Sequence, residues 1–107
     1  QGHIPGRGVM ERLVQTVRQQ VWSAYSKLRE NYEAALSTEV LLKDAHESLR
    51  LANERYKAGA GTITDLLDTE TALARAEATR VNALWEYQVA RSAFQRSVGS
   101  LVSEAKP

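Results

Sequence analysis

The chain has no cysteine and no long apolar run, and its two prolines, Pro5 and Pro107, stand near its ends. The missing cysteine excludes disulfides and thiolate metal sites. No segment approaches the roughly 18 consecutive apolar residues of a membrane-spanning helix, and residues 1–12 hold no apolar core of the signal-peptide kind. Charge of one sign is not in excess either, since 14 Lys and Arg stand against 13 Asp and Glu, a formal net charge of +1. A nucleic-acid footprint needs a clustered basic surplus, so no nucleic-acid partner is expected. Glycine is scarce and localised. Gly2, Gly6 and Gly8 precede the periodic part, Gly59 and Gly61 interrupt it, and only Gly99 falls near its end. That is the punctuation of two long helices, and 107 residues allow at most one small domain.

What the chain does have is a period. Apolar or small residues recur at alternating steps of three and four: Val14, Val17, Val21, Tyr25, Leu28, Tyr32, Ala35, then Thr38, Leu42, Ala45, Leu49, Ala52 and Tyr56. The second run follows through Leu66, Leu73, Ala76, Ala83, Tyr87, Ala90, Phe94 and Leu101, with Thr69 and Arg80 as polar interruptions. The mean step is close to the coiled-coil period of about 3.5. The pattern predicts an all-α chain: a helix over about 9–57, a turn at 58–62, and a second helix over about 63–98. Residues 1–8, "QGHIPGRG", lack the period and read as a flexible tail or cloning remnant, with a C-terminal tail at 102–107. At about 1.5 Å per residue the first helix is a rod roughly 70 Å long.

So short a turn makes the helices antiparallel. Folding about residue 60 sets Tyr32 near Tyr87, Leu28 near Phe94 and Ala35 near Trp85. Off this stripe lie Trp22, Leu36, Val40, Leu41 and Leu51 on the first helix, and Ala74, Ala78, Val81, Leu84, Trp85 and Val89 on the second. Two helices offer each other one face apiece, so an arc this wide calls for further helices alongside. A four-helix bundle from two hairpins and a larger tubular assembly, an α-barrel, both satisfy it.

The turn follows from helix-end chemistry. Arg55 and Lys57 complement the negative helix end. Gly59 suits a left-handed closing residue, and Gly61 lets the chain reverse without a Cβ clash. Thr62 to Asp65 reads as a capping box, with Thr62 accepting from the first turn and Asp65 reaching back to the Thr62 N–H. No catalytic set, cofactor motif or metal set emerges. His46 has Lys43 and Arg50 at helical spacing where a second ligand is needed. Asp65 and Asp68, three residues apart, share a face, yet no nucleophile or base accompanies them. The i, i+4 pairs Arg29–Glu33, Lys43–Glu47 and Arg50–Glu54 are expected as solvated surface pairs.

Residues 55–101, "RYKAGAGTITDLLDTETALARAEATRVNALWEYQVARSAFQRSVGSL", resemble the second half of a periplasmic hairpin in the TolC-like outer-membrane efflux protein family. The likeness lies in Tyr56 and Lys57 at the helix end, the turn from Gly59 to Thr62, and "DLLD" at 65–68. It continues in Tyr87, Ala90 and the "SVGSL" close, while residues 17–35 are similar to the start of the same hairpin. The resemblance implies a trimeric channel of the Gram-negative outer membrane, each protomer giving two hairpins to a twelve-helix periplasmic tunnel below a β-barrel. The turn, Lys57, Ala58, Gly59, Ala60, Gly61 and Thr62, would be the tip that meets a periplasmic adaptor beside an inner-membrane transporter. Acids after the turn line the constriction in relatives, which carries over to Asp65 and Asp68. Where some relatives carry a basic latch residue, this chain has Gly61. Only one hairpin and no barrel strands are present, so the chain is expected to be one piece of a longer protein. Alone it would be soluble, helical and self-associated. An adaptor's own hairpin is the nearest alternative, but the Arg, Leu and Ser tip set of adaptors does not flank residues 59–62. A structural coiled-coil scaffold is the third reading.

Overall fold

The structure, a computed structural model, describes residues 5–105. It is an all-α antiparallel hairpin of two helices, α1 (Pro5–Lys57) and α2 (Ile63–Ala105). No helix among the described residues is long and apolar enough to cross a membrane.

Both helices outrun their sequence bounds. α1 begins at Pro5, not at 9, because proline is well suited to a first helical position, where its N–H is not needed. Of the expected tail at 1–8, residues 5–8 are therefore helical and 1–4 lie outside the described residues. α2 runs through Gly99 to Ala105, past the expected end at 98, so the tail placed at 102–107 is helical as far as 105. One glycine costs a helix about 1 kcal/mol, too little to end one supported by packing on both sides of it.

The chain divides into two compact units. In the unit holding the turn, residues 32–86, the seam is built from Ala35, Thr38, Leu42, Ala45, Leu49 and Ala52 of α1. Leu66, Thr69, Leu73, Ala76, Arg80 and Ala83 of α2 complete it. Both series alternate steps of four and three, the knobs-into-holes spacing. Ala35, Thr38 and Ala76 are buried and the others half-buried. In the unit formed by residues up to 31 with those from 87, Val17 and Ala90 are buried. Val21, Ala24, Leu28, Asn31, Tyr87, Phe94 and Leu101 are half-buried around them.

Small residues dominate the buried set, and no large side chain is fully buried among the described residues. The seam departs from the sequence pattern at two positions of α1. Tyr25 and Tyr32 stand outside the seam, and Ala24 and Asn31 take their places. Tyrosine keeps its hydroxyl wet by lying along the flank. Tyr25 leans on Trp22 and on Phe94, each with ring centroids 6.0 Å apart. Asn31 satisfies its amide by donating to the Lys27 carbonyl at 2.8 Å. Val14 and Tyr56 lie beyond the seam ends and are exposed.

Candidate functional site

α1 is closed by a Schellman motif, and its parts can be read from the hydrogen bonds. Gly59 has φ +77°, the left-handed conformation. Its N–H donates to the Tyr56 carbonyl at 3.1 Å, while the Ala60 N–H donates to the Arg55 carbonyl at 2.8 Å. Gly61 donates to the same Arg55 carbonyl at 3.1 Å, so one acceptor gathers two turn residues beneath the helix end. This pulls the Gly61 Cα against α1. A Cβ built there would stand 3.1 Å from the Arg55 Cβ and 3.4 Å from the Tyr56 nitrogen. The two glycines thus have different reasons: Gly59 for its φ in open space, Gly61 for room.

Thr62 then starts α2, its Oγ1 accepting from the Asp65 N–H at 3.1 Å. The return arm of the expected capping box does not form. Aspartate is one methylene shorter than the Glu or Gln that the box uses, and the Asp65 side chain faces a hollow instead.

That hollow, about 270 Å³, lies beside the turn and is lined by Ser48, Leu51, Ala52, Arg55, Gly61, Asp65 and Thr69. It places an arginine and an aspartate from opposite helices on one small depression, with an apolar wall from Leu51 and Ala52. Asp68 does not line it; it stands exposed on α2 with no ion pair. Lys57 and residues 58–60 are also exposed, so the tip presents a cation followed by backbone with no side chain longer than a methyl. Sequence reasoning missed Ser48, Leu51 and Arg55 as neighbours of Asp65, because their approach depends on how the seam brings α1 alongside the start of α2.

Arg50 forks between two carboxylates, reaching Glu47 through Nε at 3.0 Å and Glu54 through a terminal nitrogen at 2.8 Å. The Arg50–Glu54 pair is as expected, whereas Glu47 is taken by Arg50 and not by Lys43. The hydrogen bond from Arg50 holds the Glu47 carboxyl below its usual range, and that pairing raises the arginine further above its own. His46 is exposed. Among the described residues no three His, Asp or Glu side chains cluster as metal ligands.

Trp22, Val40, Val81 and Trp85 are all more than 60% exposed. With Leu36, Leu41, Leu51, Leu84 and Val89, also exposed, they confirm the wide apolar arc on both helices.

The hairpin thus combines a seam of small residues, exposed apolar flanks and a turn closed by backbone hydrogen bonds. Residues 10–100 match the model of the outer membrane efflux protein family, and the chain belongs to that family. Its members are outer-membrane channels of Gram-negative bacteria, transport proteins and not enzymes, that work with adaptor proteins and inner-membrane transporters. Comparison with curated proteins and with solved structures gave no match.

Proposed function

We propose that this hairpin is a periplasmic tunnel segment of the outer-membrane channel in a tripartite efflux or type I secretion system, with its turn at the channel tip. The observation that carries the reading is the turn itself. A helix end needs only a left-handed glycine to close, yet here a second glycine lets the chain lie against Arg55 and leaves a tip of methyls and bare backbone. Lys57, Ala58, Gly59, Ala60, Gly61 and Thr62 then form a surface against which a periplasmic adaptor packs closely. The hollow between Arg55 and Asp65 accepts a side chain from that partner.

Asp65 and Asp68 follow the turn on one face of α2 and are both exposed. In a ring of protomers, carboxylates at this height crowd toward the axis and form a negative constriction. The apolar arcs of both helices fit a tube, where every helix has two neighbours, and trimeric assembly supplies them. Ala60→Arg in the full-length protein tests adaptor contact. Ala60 is exposed and its side chain holds nothing in place, so the fold survives. Adaptor-dependent export should fall at least about tenfold, as placing a bulky charge in a close-packed contact costs more than 1.4 kcal/mol. Unchanged export with normal protein levels would remove the tip from the adaptor interface.

A further inference from the structure

The seam of the turn-bearing unit has an ambiguity built into it. Counting heptad steps outward from Thr38 and Arg80, which touch, sets Leu42 opposite Ala76, Ala45 opposite Leu73 and Ala52 opposite Leu66. Displacing α2 by one heptad preserves the large-against-small pattern: Leu42 then opposes Ala83, Leu49 opposes Ala76 and Ala52 opposes Leu73. Apolar packing therefore separates these registers poorly. Residues 58–62 tether α2 to its own α1, but no such tether acts between copies, where the same stripes meet on other helices.

Arg80 breaks this degeneracy. It occupies a seam position between Ala76 and Ala83, and its side chain is only 25% exposed. The guanidinium crosses to α1, donating to the Ala35 carbonyl and the Thr38 Oγ1, each at 3.4 Å, and lies 3.5 Å from the Glu39 carboxylate. Thr38 supports it by donating its own hydroxyl to the Ala35 carbonyl at 2.6 Å. Ala35 gives the space, having no atom beyond Cβ. One heptad nearer the turn, Ala35 is replaced by Leu42, Thr38 by Ala45 and Glu39 by His46. There the cation would meet a bulky aliphatic group, no hydroxyl and no carboxylate. Leaving such a group half-buried and unpaired is costly, while the apolar alternative is not.

We propose that the Thr38, Glu39 and Arg80 layer is a register-specificity element, which makes α2 pair with α1 in the native register over the one displaced by a heptad, including where α2 meets α1 of a second copy. Polar residues at single coiled-coil seam positions act in this way, fixing register while lowering stability. The cysteine-free chain allows a direct test with two cysteine pairs. Ala45→Cys with Leu73→Cys reports the native register. Ala52→Cys with Leu73→Cys reports the displaced one, because a heptad of axial offset is too far for a disulfide in the native pairing. With Arg80 present, mild oxidation should close the first pair within one chain and leave the second reduced. In an Arg80→Leu background the second pair should link between chains roughly tenfold more, while the melting temperature stays level or rises. Arg80→Lys, which keeps charge but loses the fork, should fall between. If the displaced pair stays unlinked in Arg80→Leu, the turn and apolar seam alone set the register. If Arg80→Leu loses helix content, Arg80 is a stability residue; either result overturns the proposal.

Discussion

At the scale of single residues, glycine to alanine changes sign between the turn and the helix interior. Gly59 sits at φ +77°, so Gly59→Ala forces a side chain into a conformation that costs about 1–2 kcal/mol, and Gly59→Asn should cost less. Gly61→Ala meets Arg55 at 3.1 Å and should lose roughly 1–3 kcal/mol through overpacking. Gly99→Ala meets nothing within 4 Å inside α2 and should gain about 0.5–1 kcal/mol. Thermal melts followed by circular dichroism read all three, and a common sign for the three would contradict the account of the turn. Much of this was legible beforehand: Gly59 as the closing residue, Gly61 as the relief of a clash and Thr62 as the cap each follow from local chain chemistry. The second arm of the capping box was not, because it depends on one methylene of reach.

At the scale of the helix, the seam decides which positions tolerate change. Ala76 is 3% exposed, so Ala76→Leu should destabilise by roughly 1–3 kcal/mol although leucine is common in the seam. The same change at Ala72, an exposed position, should do little. The heptad spacing was readable, including Thr38, Leu42, Ala45, Leu49 and Ala52, because the period is a property of sequence alone. The choice between Tyr25 and Ala24, or Tyr32 and Asn31, was not. Adjacent residues fit the same averaged period, so the period alone does not choose between them, and the burial does. Arg80 showed as an interruption, but its crossing to Ala35 and Glu39 requires knowing what stands opposite. The Arg50 fork adds a pH term of known sign. The Glu47 carboxyl titrates below its usual range in the folded chain, so its contribution is complete above the unfolded value and is lost as pH falls through the folded one. Glu47→Gln should remove that part of the acid dependence of helix content, and an unchanged acid titration would show that the fork does not persist in solution.

At the scale of the whole molecule, the exposed apolar flanks set the context in which the turn acts. Trp22 and Trp85 at 69% and 66% exposure are poor surface residues for an isolated hairpin and good ones for a wall. The chain belongs to the outer membrane efflux protein family, and the function proposed above puts the turn, with Asp65 and Asp68, at the narrowest point of a channel. The most direct test is single-channel conductance of the full-length protein carrying Asp65→Ala and Asp68→Ala together. Removing a ring of carboxylates from a constriction should raise conductance and weaken cation preference, since the ring attracts and holds cations at close quarters. Conductance and ion preference both equal to those of the unmodified channel would contradict the assignment of these two acids to the gate.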